Sequence, residues 1–144
     1  MEITNDIAYI GVNDYDIKLF EAQYAVENGM AYNSYVITDD KIAVIDSVAA
    51  GFGEQWLSNI EKATGGKAPD YIIVQHMEPD HSANIKLFTE KYPNAAVVAS
   101  AKAFAMMKQF FGTDFSDRQI IAGEKDALSL GKHTLTFITA PMVH

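Results

Sequence analysis

Four side chains able to bind a metal fall within six positions in His76-Met77-Glu78-Pro79-Asp80-His81, with Ser82 next in the chain. They come directly after Tyr71-Ile72-Ile73-Val74, an apolar, β-branched run that reads as a buried strand. In extended backbone, side chains two apart share a face, so His76 and Glu78 can converge on one point. Pro79 holds Glu78 extended, because a proline ring crowds the α conformation of the residue before it. The chain must then turn, which lets Asp80 and His81 face a second point nearby. The pattern predicts a two-metal site. Two imidazoles and two carboxylates without sulfur suit iron or manganese at least as well as zinc, since carboxylate oxygen is a harder ligand than thiolate. The bland alternative is an exposed loop whose polar residues cap a helix.

What must position these residues is one ordinary domain. A chain of 144 residues, 49% of them hydrophobic, can build a sizeable core. Its formal charge of -8 argues against nucleic acid or an anionic membrane as partner, since both require clustered Lys and Arg. Cysteine is absent, which excludes disulfides, cysteine-ligated iron-sulfur centres and a cysteine nucleophile within this stretch. Met1-Glu2-Ile3-Thr4-Asn5-Asp6 has neither a basic start nor a long apolar segment, so a secretory signal is not expected and the cytoplasm is the expected compartment. No run approaches the length of a membrane helix.

In chain order, residues 7 to 12 read as a first strand ended by the turn-prone Asn13-Asp14, and Asp16 to Tyr24 shows no clear period, leaving strand or loop open. Tyr32 to Ile37 and Ile42 to Ile45 flank Asp39-Asp40-Lys41 as a β-hairpin. Phe52, Trp56, Leu57 and Ile60 recur at helical spacing, stopped by Gly65-Gly66. Tyr71 to Gln75 leads into the metal loop, and Ser82 is placed to cap a helix from about Ala83 through Phe88. Ala95 to Ala99 reads as a buried strand, Ala101 to Phe111 as a helix with Phe104, Met107, Lys108 and Phe111 along one side, and Leu128 to Ile138 as a second hairpin turning at Gly131-Lys132.

Several residues invite a functional reading that the local pattern does not favour. Asp46-Ser47 at a strand end reads as a turn and capping feature, outside the site. Trp56 sits at core spacing rather than as a stacking platform for a flavin, and Met106, Met107, Phe110 and Phe111 read as helical core rather than a docking surface. His133 alternates with threonines and has no partner motif, so it reads as structural.

The run Gln75-His76-Met77-Glu78-Pro79-Asp80-His81-Ser82 resembles the iron-binding loop of the flavodiiron proteins, whose metallo-β-lactamase-like domain carries His-x-Glu-x-Asp-His where the hydrolases carry His-x-His-x-Asp-His. Gly11-Val12-Asn13-Asp14, Asn28 to Ile37, Phe110-Phe111-Gly112, Leu130 to Leu135 and Ala140-Pro141-Met142-Val143-His144 are also similar to that family, so the resemblance spans essentially the whole chain. It implies that His76, Glu78 and His144 hold one iron, and Asp80 and His81 the other. A bridging aspartate and a final histidine would lie beyond His144, as would a flavodoxin-like domain with FMN. The resemblance therefore implies an α/β fold, the N-terminal part only of a metallo-β-lactamase-like αββα sandwich, truncated at residue 144. Unpaired edges and apolar surface left by a missing sheet half are expected to be covered by dimerisation or strand exchange.

The function so implied for the longer protein is reduction of dioxygen to water, or of nitric oxide to nitrous oxide, at a non-haem diiron centre fed by FMN. A homodimer and a rubredoxin-like or related electron donor come with it. Two readings compete. One is metal-dependent hydrolysis as in zinc members of the fold, which Glu78 in place of a second histidine argues against. The other is a non-catalytic metal-binding fragment, because five candidate ligands cannot complete two iron spheres by themselves. The isolated chain is expected to be inactive.

Overall fold

The β-branched and aromatic residues of the first third form many short strands rather than a few long ones. In the computed structural model, which describes residues 1–140, these are β1 (Ile7–Tyr9), β2 (Val12–Asp14), β3 (Leu19–Phe20), β4 (Tyr24–Ala25), β5 (Met30–Tyr32), β6 (Tyr35–Ile37) and β7 (Ala43–Ile45). Helix and strand then alternate through α1 (Gly53–Thr64), β8 (Tyr71–Ile73), α2 (Pro79–Ser82), α3 (Ile85–Lys91), β9 (Ala96–Ala99), α4 (Ala101–Phe111) and β10 (Gln119–Ile121). A hairpin of β11 (Ala127–Ser129) and β12 (Thr134–Thr136) follows.

One six-stranded sheet, in the order β1-β6-β7-β8-β9-β10, organises the chain. The pairs β1–β6 and β6–β7 are antiparallel, and from β7 onward the strands run parallel, because each later connection crosses over through a helix. Alternation along the strands divides the core in two. Val44, Ile72 and Val97 join Trp56 and Ile60 of α1, Phe88 of α3 and Met107 of α4 in the larger cluster. Ala43, Ile73 and Val98 belong to a second cluster with Leu130, against which Leu128 and Leu135 of the hairpin pack. The helices and the hairpin thus cover different sets of strand side chains. Each fully buried large side chain contributes roughly 1.5–3 kcal/mol.

Local chemistry sets the element ends. α1 stops where Gly65 turns left-handed at φ 62°, and α4 starts where the Ser100 hydroxyl accepts a bond from the Ala103 N–H, ending at Gly112 with φ 73°. Trp56 is wholly buried, as its spacing predicts; its indole N–H donates to Ser34 Oγ at 2.9 Å, and its ring lies 5.8 Å from that of Phe88. No helix among the described residues is long and apolar enough to cross a membrane.

The structure corrects several expectations. Residues 7 to 12 are not one strand: the chain breaks at Ile10-Gly11, so that β1 pairs with β6 while β2 pairs with β5, and Asn13-Asp14 lie inside β2. Gly11 permits that break, because a β-carbon there would run into the Tyr32 carbonyl and the Tyr9 phenol. Asp16 to Tyr24 contains β3 and the start of the small β3–β4 ribbon. Ser82 does not cap a following helix. It ends α2, and Asn84 precedes α3, because Pro79 at the first helical position starts a helical turn earlier. On α4, Lys108 faces outward to Asp114 and Phe110 is 61% exposed, so the core face is Ala103, Phe104 and Met107. β10 carries no sequence pattern that announces it, since two of its three residues are exposed.

Candidate metal centre

The candidate metal-ligand run emerges from the centre of the sheet. β8 lies between β7 and β9, and its ladder ends with Asp46 N–H donating to the Ile73 carbonyl and Val74 N–H to the Val98 carbonyl, both at 2.8 Å. Glu78 is extended (φ -65°, ψ 148°), as the following proline requires, and Pro79 then opens the single turn of α2 that carries Asp80 and His81. The site therefore sits at the carboxyl end of parallel strands, where the sheet's backbone groups run out of partners and loops can present side chains.

The four residues form two pairs. His76 Nε2 lies 3.1 Å from Glu78 Oε2, and His81 Nε2 lies 3.3 Å from Asp80 Oδ2. The two imidazole rings are 5.4 Å apart between centroids and nearly edge-to-face. Two donors bound to one cation at about 2.1 Å each, at roughly a right angle, stand about 3 Å apart, so each pair has the spacing of two ligands of one ion. His81 Nδ1 is buried and has no hydrogen-bond partner among the described residues. Among those residues no three histidine or carboxylate side chains close on a single ion. His144, the fifth expected ligand, lies outside the described residues.

Residues placed outside the site by local pattern support it from beneath. Asp46 is 6% exposed and takes a left-handed backbone (φ 53°). Its Oδ1 accepts the Gln75 backbone N–H at 2.7 Å and its Oδ2 faces the Gln75 side-chain amide at 3.3 Å. Burial pushes the Asp46 carboxyl above its usual range, against the Gln75 donors, the His81 ring and the His76 backbone, which favour the charged form. Ser47 donates twice to the His81 carbonyl, from its backbone N–H at 2.8 Å and its hydroxyl at 2.9 Å. Ser82 Oγ donates to the Met77 carbonyl at 3.0 Å, and the Asn84 amide donates to the Val48 and Ala49 carbonyls. A carboxylate and a hydroxyl straight after a buried strand were the available signal. What was invisible is which distant segment they hold.

His133 lies away from this centre. Its backbone N–H donates to Asp39 Oδ2 at 2.7 Å, its Nδ1 faces the same oxygen at 2.8 Å, and its Nε2 is 3.8 Å from Asp6 Oδ2, a structural clasp between the second hairpin and the sheet. Beside the metal loop runs an apolar groove of about 420 Å³ lined by Met77, Pro79, Ala83, Met106, Phe110 and Phe111, with Glu78 at its wall.

The chain is similar to known proteins along nearly its whole length. Residues 30–144 match the model of the ODP family beta lactamase. Over 144 residues the chain is 34% identical to the nitric oxide reductase of Moorella thermoacetica, covering 99% of this chain and 36% of that protein. It is 35% identical over 143 residues to diflavin flavoprotein A 1 of Synechocystis, covering 99% of this chain and 25% of that protein. The chain thus spans about a third or less of the relatives it matches. The crystal structure of the flavodiiron protein from Giardia intestinalis superposes with a TM-score of 0.90 at 33% identity, covering 99% of this chain and 34% of that one. The rubredoxin oxygen:oxidoreductase of Desulfovibrio gigas superposes at 0.88 with 26% identity, covering 96% and 34%. With a metallo-β-lactamase-like α/β core matching those of the flavodiiron proteins, the chain belongs to the ODP beta-lactamase family.

Proposed function

We propose that this chain is the N-terminal part of the diiron domain of a flavodiiron oxidoreductase that reduces dioxygen to water, nitric oxide to nitrous oxide, or both. The observation that carries the reading is the pairing at the end of β8: His76 with Glu78, and Asp80 with His81, each at the spacing of two donors to one ion. Relatives named nitric oxide reductase and rubredoxin oxygen:oxidoreductase supply the reaction class. In this reading His76, Glu78 and His144 hold one iron, Asp80 and His81 hold the other, and the remaining ligands come from chain beyond residue 144. FMN belongs to a separate flavodoxin-like domain of the same protein. A rubredoxin-like donor and a homodimer complete the assembly.

The donor chemistry fits iron: imidazole and carboxylate, with no thiolate, suit a hard, redox-active ion. When bound, two irons supply paired redox centres at which a diatomic substrate is reduced. The chain's own part is to present the ligands. β8 and α2 fix the loop, Pro79 keeps Glu78 extended, and the carboxylates of Glu78 and Asp80 offset cationic charge at the centre. Glu78 stands where the hydrolases of this fold use a second histidine, which argues against the hydrolase alternative.

Anaerobic loading with ferrous iron tests the ligand set, read as metal per chain beside a parallel zinc titration. Up to two irons per chain, lost in a His76→Ala, Asp80→Ala double variant, is the expected result. Undiminished iron in the variant would remove the reading.

A further inference from the structure

We propose that Asp46 and Ser47 are positioning residues that grip the metal loop at both ends and so set the separation between its two ligand pairs. The inference rests on the proposed diiron reading and adds to it a determinant of metal spacing.

The grip begins with a departure from regular sheet. β7 and β8 pair in parallel with Ile45 opposite Ile73, and the Asp46 N–H continues the ladder to the Ile73 carbonyl. The next rung of a regular ladder would join the Gln75 N–H to the Asp46 carbonyl. Instead that N–H is taken by the Asp46 carboxylate at 2.7 Å, while the Asp46 carbonyl accepts the Ser34 hydroxyl at 2.9 Å. The left-handed backbone at Asp46 (φ 53°) turns the carboxylate into the place of its own carbonyl. Such a conformation costs about 1–2 kcal/mol at a non-glycine residue and persists only where its surroundings impose it. The rung holds the residue immediately before His76.

Ser47 holds the other end. Its N–H and hydroxyl both donate to the His81 carbonyl, and its hydroxyl accepts the Asn84 backbone N–H at 3.2 Å. Ser47 is fully buried, so its own N–H and hydroxyl cannot exchange their partners for water. Neighbouring residues at the tip of one strand therefore hold the chain just before the first ligand and at the last. The distance spanned by residues 76 to 81 is set by the span from the Asp46 carboxylate to the Ser47 hydroxyl. Lengthening or freeing either contact lets Asp80 and His81 move relative to His76 and Glu78 without altering any ligand.

The test uses the chain loaded with cobalt(II), whose visible spectrum reports ligand geometry and whose magnetic coupling reports the distance between two ions. Ser47→Ala, nearly isosteric, removes only the hydroxyl. Asp46→Asn keeps an oxygen acceptor for Gln75. Thr89→Ala deletes a buried hydroxyl that bonds the Lys86 carbonyl within α3, a loss of similar kind away from the loop. Outer partners of metal ligands typically carry about 10–100-fold in affinity. Ser47→Ala is expected to weaken binding of at least one ion by that factor and to change the coupling between ions at temperatures where the fold is intact. Asp46→Ala, which removes the acceptor for the Gln75 N–H, should do the same, Asp46→Asn should fall short of that loss, and Thr89→Ala should preserve both. Unchanged affinity and coupling in Ser47→Ala, or equal losses in Thr89→Ala, would overturn the proposal while leaving the diiron reading standing. Failure of the parent chain to bind cobalt at all would overturn the proposal, because a loop held at both ends must present its ligands unaided, while the diiron reading, whose remaining ligands come from beyond residue 144, would stand.

Discussion

Replacing Asp46 in the metal-free chain isolates its contribution to stability from anything a metal contributes. Its carboxylate makes a short bond to the Gln75 N–H at 2.7 Å and a long one to the Gln75 amide at 3.3 Å. A hydrogen bond to a charged group is worth about 1.5–3 kcal/mol net. Gln75 is exposed, so water recovers part of the loss, and removing a carboxylate that burial disfavours returns some more. Against that, alanine at φ 53° keeps the left-handed strain without the polar side chain that makes aspartate and asparagine tolerable there. Asp46→Ala is therefore expected to cost about 2–3 kcal/mol, which lowers the melting temperature by roughly 10 °C for a domain of this size.

Two companion variants make the reasoning refutable. Asp46→Asn retains the acceptor for Gln75 and the left-handed tolerance, so its cost should stay under about 1 kcal/mol. Asp46→Gly loses the bond but relieves the strain, and should recover about 1 kcal/mol relative to alanine. Urea denaturation followed by Trp56 fluorescence and circular dichroism gives all three values. An order other than asparagine, then glycine, then alanine would refute the account, as would an alanine cost below about 0.5 kcal/mol.

Two other consequences can be checked on the same chain. Gly11→Ala places a β-carbon against the Tyr32 carbonyl and 2.6 Å from the Tyr9 hydroxyl, so it should destabilise by about 1–3 kcal/mol or more, seen as a lower urea midpoint. The His133 backbone N–H, aided by the His133 ring and the Asp40 N–H, lowers the Asp39 carboxyl from 3.8 to about 2. A lowered value means that its stabilisation is complete above 3.8 and fades as the pH falls toward 2. Asp39→Asn should flatten the pH dependence of the urea midpoint across that window, and a carbon-13 titration of Asp39 with an ordinary midpoint would contradict this.

Much of the fold was legible wherever the signal is local. Phe52, Trp56, Leu57 and Ile60 announce α1 because helical burial repeats every three to four residues, and Gly65 marks its end because glycine tolerates the left-handed turn. Tyr71 to Val74 announces a strand buried on both faces by its unbroken apolar run. The failures share a cause. β10 is short, and its sequence carries no alternation because it is partly exposed at the sheet edge. Phe110 has the right spacing for a core residue, yet a helix on a sheet buries only one stripe, and residue 110 lies off it.

The candidate site divides along the same line. Sequence by itself determined the candidate ligand types, the extended Glu78 before Pro79 and the turn after it, because those depend on neighbours in the chain. Only the tertiary structure decided that Asp46, 29 positions before Gln75, carries the rung above the first histidine. It likewise decided that Ser47, 34 positions before His81, holds the His81 carbonyl, and that His133 closes on Asp39 across 94 positions. The physical reason is that a hydrogen bond across a sheet depends on which strands become neighbours and in what register. That choice is made by burial of the whole apolar set, not by the residues that finally touch.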